Sequence, residues 1–212
     1  MKPLDRFLQG RRIQRAAPYL SPADVVIDVG CADGAMFEAL KGRFAYGYGI
    51  EPTLTAETKT DSYALYPGTF PAALPPGTTA DRITLLAVLE HLSPPDQAAL
   101  AQGCRDVLKP GGTIIITVPS PRVDGLLHVL GRLRLIDGMS MHEHYGFQPA
   151  DTLGIFAAPH FKLVEHRRFQ LGLNNLLVFE RLATPVPGSG PPATESQPGP
   201  ASRTGEVKTP GA

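Results

Sequence analysis

Cysteine is scarce, with only Cys31 and Cys104 in 212 residues. The two show neither the spacing of a metal-binding pair nor a framework of bridges. A disulfide scaffold is excluded, and nothing demands an oxidising compartment. Cys31, beside a glycine turn, reads as a small buried filler. Net charge is missing too. Twenty basic and twenty acidic residues balance, so no global field favours nucleic acid or an anionic membrane, and neither is expected as a partner. No apolar run approaches the roughly 18 residues of a membrane span, and the N-terminus lacks the apolar core of a signal peptide. Membrane insertion is not expected, and the cytoplasm is the default location. From Ala183 onward aromatic residues disappear as well. These thirty residues carry seven prolines and five glycines, cannot bury a core, and are expected to form a disordered tail over 183–212. The remaining 1–182 suit one domain, and no internal repeat is present. The oligomeric state is not legible.

What is present centres on the stretch from Val25 to Gly34. Val25, Val26, Ile27 and Val29 surround Asp28 in a run suited to a strand covered on both faces. The run breaks at Gly30, Cys31, Ala32, Asp33 and Gly34, and Ala35 to Leu40 then carry apolar residues at helical spacing. Strand, glycine turn and helix follow. Gly30 lets the backbone turn without a Cβ, and Gly34 lets a ligand approach the main chain. In open α/β sheets such a turn lies at the carboxyl ends of the strands, where ligands bind. The Gly-x-x-x-Gly spacing lacks the fingerprint of dinucleotide folds. Asp28 and Asp33 also make poor hosts for phosphate and suit a cationic or hydroxyl-bearing ligand better.

Val26 to Gly34 resembles the first motif of class I S-adenosylmethionine-dependent methyltransferases of the small-molecule type, an acidic residue followed by Gly-x-Gly-x-Gly. Asp28, Gly30 and Gly34 match, and Ala32 replaces the middle glycine, a mild departure for a residue of negative φ. Ala45 to Pro52 reads as a second strand ending in Glu51, 23 residues after Asp28. Across one βαβ unit that spacing brings an acid beside the glycine turn, where two carboxylate oxygens can accept both ribose hydroxyls. Ser62 to Tyr66 reads as a third strand. Relatives often carry an Asp soon afterwards, near the adenine; here Pro67-Gly68-Thr69-Phe70 follows, and the role passes to the Thr69 hydroxyl and to the amide or ring of Phe70.

The run from Asp81 to Leu92 reads as a central buried strand ending in Glu90-His91. It resembles the Leu-Glu-His-Leu that closes the fourth strand of many small-molecule methyltransferases. It is neither the Asn/Asp-Pro-Pro-Tyr motif nor the Pro-Cys motif of nucleobase methylation. Ser93, Pro94 and Asp96 cap a helix running to Val107-Leu108. Leu108-Lys109-Pro110-Gly111-Gly112 makes a turn before a β-branched fifth strand from Thr113, and is a further family resemblance. Residues 1–20 predict a short basic helix. Pro121 to Ile136 predict an amphipathic helix, open between packing on the core and covering an acceptor pocket. Met139 to Phe147 form a polar-aromatic loop, Thr152 to Ala158 a helix, and Phe161–Phe169 with Leu176–Glu180 two closing strands.

The resemblance covers about 25–182. It implies an α/β, Rossmann-like, doubly wound sheet of seven strands, mostly parallel with the last antiparallel and with helices on both faces. It further implies S-adenosylmethionine as cofactor, held by Asp28, Gly30, Cys31, Ala32, Gly34, Glu51, Pro52, Thr69, Phe70, Ala87 and Glu90. Methyl transfer is a direct displacement, so the protein's main task is alignment. A base is needed only where an alcohol must lose its proton; His91, His142 and His144 are the candidates, with His144 and His91 preferred. Each is equally readable as a hydrogen-bonded loop residue. His142, Glu143 and His144 lack a third ligand at familiar spacing, so no metal is expected. The expected acceptor is a small molecule or a sugar- or lipid-linked intermediate, with O-methylation favoured. Phe169 to Leu176 resemble methyltransferases of bacterial surface-polysaccharide synthesis. Two other readings stay open: a nicotinamide-dependent oxidoreductase on the same fold, and a non-catalytic relative that binds S-adenosylmethionine.

Overall fold

Alternation along Val25–Val29 decides how the layers stack. Ile27 and Val29 enter one buried cluster, whereas Val26 enters the other, on the opposite face of the sheet. The computed structural model describes residues 3–120 and 147–183. Its strands are β1 (Val25–Val29), β2 (Tyr46–Glu51), β3 (Thr58–Lys59), β4 (Tyr63–Pro67), β5 (Ala80–Leu86), β6 (Leu108–Pro119), β7 (Phe161–Phe169) and β8 (Asn174–Arg181). They form one sheet in the order β3-β4-β2-β1-β5-β6-β8-β7. The strands from β4 to β6 run parallel, and β8 lies antiparallel between β6 and β7. Strand order reverses beside β1, with β2 and β4 on one side and β5 and β6 on the other. In open α/β sheets the ligand crevice lies at such a reversal, which places it here at the carboxyl ends of β1 and β5.

The seven expected strands are all present. The eighth is β3, two exposed residues paired antiparallel with β4, too short and polar to leave a hydrophobic signature. Helices α1 (Pro3–Ala16) and α2 (Ala35–Ala39) cover one face through Ile13, Ala16, Met36 and Phe37. Helices α3 (Pro94–Val107) and α4 (Asp151–Ile155) cover the other through Leu100, Cys104 and Ile155. Ser93 caps α3 by accepting from the Asp96 amide. Gly47 and Gly49 in β2 make room for this packing. A Cβ at Gly47 would run into the Phe37 ring, and one at Gly49 would lie 2.7 Å from Cys31 Sγ.

Two expectations are corrected. The strand predicted to run on to Glu90-His91 ends at Leu86, and Leu89–His91 form a 3-10 turn instead. Ala87 takes a positive φ of 64° while its amide donates to Thr117 O. The apolar run persists because Leu89 turns back into the core, where it is fully buried. The turn expected at Lys109–Gly112 lies inside β6, where pairing jumps from Ala80 with Leu108 to Arg82 with Thr113. Lys109 Nζ anchors the looped segment on Asp81, at 2.8 and 3.0 Å. The amphipathic helix at 121–136, the loop bearing His142 and His144, and the tail from 184 lie outside the described residues.

Candidate functional site

At the end of β1 the chain must leave the sheet without losing its backbone partners. Gly30 N donates to Ile50 O at 2.8 Å and Cys31 N to the same oxygen at 3.3 Å, which fixes the glycine turn onto the end of β2. Gly30 is exposed at φ +74°, and a Cβ there would lie 2.7 Å from Val88 Cγ2. Gly34, at φ +79°, is the N-cap of α2. Between them Ala32 has φ 48°. The substitution of the middle glycine is therefore not the mild one expected for negative φ, because a Cβ in the left-handed region costs about 1–2 kcal/mol. Ala32→Gly is expected to raise folding stability by about 0.5–1 kcal/mol, the strain relief being partly offset by glycine's greater freedom when unfolded. Urea denaturation of both proteins checks it.

Three carboxylates at the ends of β1 and β2 and just beyond β5 stand in different states. Glu51, half-buried at the end of β2, accepts from the Thr53 amide (2.9 Å) and hydroxyl (2.6 Å) through Oε1. Its Oε2 accepts no hydrogen bond among the described residues. Asp28 is only 4% exposed and accepts from Thr84 Oγ1 at 2.6 Å. Burial pushes its pKa up to about 7, the Thr84 hydrogen bond opposes that rise, and the Glu51 charge adds to it. Asp28 thus braces the turn from beneath, whereas Glu51 stands at its rim. Glu90 is 2% exposed, and its Oε2 has no hydrogen-bond partner among the described residues. Burial lifts its pKa to about 7, against the pull of its own backbone amide and of the Arg12 charge from α1.

The other sequence-predicted residues divide. Pro52 and Thr69 are exposed near Glu51, whose carbonyl accepts from Gly68 N at 3.3 Å. Phe70 turns its ring away, into the core against Gly103 of α3. Cys31 is a free, buried thiol pushed up to about 12 by burial first, and so is inert filler as expected. Ala87 lies at the crevice with its amide committed to Thr117, and His91 is exposed on the 3-10 turn. His144 falls outside the described residues. Thr84, Val88 and Arg12, which frame the carboxylates and the turn, carried no sequence signal, because each belongs to an ordinary strand, turn or basic helix.

A family model described as a methyltransferase domain matches residues 4–165. The chain belongs to that family. This methyltransferase-family chain is 28% identical over 145 residues to a ubiquinone biosynthesis O-methyltransferase of Paraburkholderia xenovorans (strain LB400). The match covers 62% of this chain and 61% of that protein, so the methyltransferase chain spans less than two thirds of that relative's length. Among solved structures, a methyltransferase in calicheamicin biosynthesis, in an SAH-bound form, matches with a TM-score of 0.60 at 15% identity, covering 82% of this chain and 54% of that one. Magnesium protoporphyrin IX methyltransferase from Synechocystis PCC 6803, with bound SAH, gives 0.57 at 18%, covering 83% and 82%. At these identities the likeness is one of fold. Among the described residues, no helix is long and apolar enough to cross a membrane.

Proposed function

We propose that this chain is an S-adenosylmethionine-dependent methyltransferase that methylates a hydroxyl of a small molecule. The observation that supports it most is the convergence of the Gly30 turn and Glu51 on one crevice, held together through the Ile50 carbonyl, in a chain of the methyltransferase family. The residues present fit the cofactor. Glu51 Oε2 is available to accept ribose hydroxyls. Gly30 presents bare backbone, and Glu51 and Asp33 favour a cation over a phosphate. When bound, the cofactor supplies an activated methyl on a positively charged sulfur. The chain's part is to hold that donor at the crevice, exclude water with α1 and the Leu89–His91 turn, and align the acceptor. His91, exposed beside Glu90, is the candidate base among the described residues. The catalytic unit occupies 1–182, with 183–212 as a dispensable tail. The two free, buried cysteines accord with a cytoplasmic setting.

Equilibrium binding followed by labelled methyl transfer to a metabolite extract tests the reading. S-adenosylmethionine should bind and NAD should not, with label appearing on a hydroxyl of one product by mass spectrometry. Preference for NAD would return the oxidoreductase reading, and tight binding without transfer to any extract would leave a binding relative.

A further inference from the structure

On the α3/α4 face, where β6 ends beside the β7–β8 hairpin, a cavity of about 420 Å³ is lined by Ser120, Gln148, Leu153, His166, Arg168 and Asn175 among others. Its polar wall is a chain of hydrogen bonds whose direction is fixed at one end. The Gly172 carbonyl can only accept, so Ser120 Oγ donates to it, at 2.7 Å. Asn175 Nδ2 donates to Ser120 Oγ at 3.0 Å. That turns Asn175 Oδ1 toward His166 Nε2, 3.0 Å away. Nε2 must then carry the proton, and the neutral imidazole keeps a lone pair on Nδ1. Asn175 is 2% exposed, so its amide is held in this orientation. Arg168 lies two residues from His166 on the same face of β7 and makes no ion pair among the described residues. Leu153 and Leu177 add apolar wall. One fixed acceptor and one cation without an ion pair among the described residues thus share a partly apolar cavity.

The cavity opens at the same edge of the sheet as the glycine turn, because Ser120 follows β6 directly and Thr117 O receives the Ala87 amide at the end of β5. From β1 to β8 there are three strand spacings, roughly 14 Å.

We propose that this cavity holds the far end of the methyl acceptor: a hydroxyl donating to His166 Nδ1 and an oxyanion, carboxylate or phosphate, on Arg168. The acceptor is then an elongated, hydroxylated anion whose methylated oxygen lies toward β5, away from this second hydroxyl. The assignment rests on the methyltransferase reading for the identity of the ligand, but not for the existence of the site.

Amide chemical-shift titration of the full chain tests it, with 4-hydroxyphenylacetate and 4-hydroxyphenyl phosphate as oxyanion probes. Phenylacetate lacks the hydroxyl, and tyramine replaces the anion by a cation. At least one oxyanion probe should shift the amides of Ser120, Gly172 and Asn175, the tighter of the two naming the oxyanion. Phenylacetate and tyramine should each bind about tenfold more weakly than 4-hydroxyphenylacetate. Arg168→Met should abolish the preference over tyramine, and His166→Phe the preference over phenylacetate; both side chains are exposed, and unchanged melting curves confirm folding. No shift at these amides up to about 10 mM probe, or preferences that survive the substitutions, would overturn the proposal. Calorimetry with S-adenosylmethionine on the same samples separates the two readings. Probe binding without cofactor binding removes the methyl-transfer function and leaves the site, and the reverse result removes the site alone.

Discussion

Alanine in place of Glu51 is expected to weaken S-adenosylmethionine binding by about 10–100-fold, since each charge-assisted hydrogen bond lost is worth ~1.5–3 kcal/mol and 1.4 kcal/mol is tenfold. The fold should survive. Glu51 closes β2 at the rim of the crevice, and among the described residues the one side chain it supports is the exposed Thr53. Glu51→Gln keeps one acceptor oxygen but introduces a donor facing the ribose, so it should fall between wild type and alanine. Titration calorimetry on folded variants reads the effect, and an alanine variant with wild-type affinity would remove Glu51 from the site.

Asp28→Asn should change how stability depends on pH. The Asp28 carboxyl is raised to about 7, chiefly by burial. A carboxyl whose folded pKa lies above its unfolded value holds a proton in the folded chain that the unfolded chain has released. Stability therefore falls as pH rises from about 4 to about 7 and levels off above that. Glu90, also raised to about 7 by burial, titrates in the same window and steepens the fall. Asparagine keeps the oxygen that accepts from Thr84 and cannot ionise. Relative to wild type, the variant should gain on the order of 2–4 kcal/mol between pH 4 and pH 8. The constant cost of burying its amide cancels in that comparison. Urea midpoints across this range measure the gain, and two curves that stay parallel would mean that Asp28 is ionised throughout.

The long elements were legible because their signals are local. Val25–Val29, Thr113–Pro119 and the capped helix from Pro94 each carry their periodicity and punctuation within a dozen residues. The glycine turn and Glu51 were legible as a pair because one βαβ unit fixes the distance between them. What escaped depended on tertiary contact. Nothing in an unbroken run from Ile83 to Leu89 marks a strand end at Leu86, since Ala87 reverses the chain without glycine or proline. Phe70 stood where relatives carry an Asp, and sequence could not say whether its amide or its ring would face a ligand; the ring packs against Gly103, which is distant in sequence. Ser120, His166 and Asn175 meet only because the last strand of the sheet inserts between two earlier ones, and no spacing announces that.

That insertion also sets an order in time. Among the described strands, β6 offers its outer edge to β8 alone, and β7 has no neighbour but β8. During synthesis the β-branched edge of β6, complete at Pro119, must wait for the arrival of Asn174–Arg181. At about 5–20 residues per second this is an interval of roughly 3–12 s. Through that interval the nascent chain carries a long, apolar, unpaired strand edge, the kind of surface that joins neighbouring chains. Chaperone dependence should therefore peak in this window and vanish once Arg181 has been made. A chain truncated before Asn174 should aggregate, although its glycine turn and Glu51 are already complete.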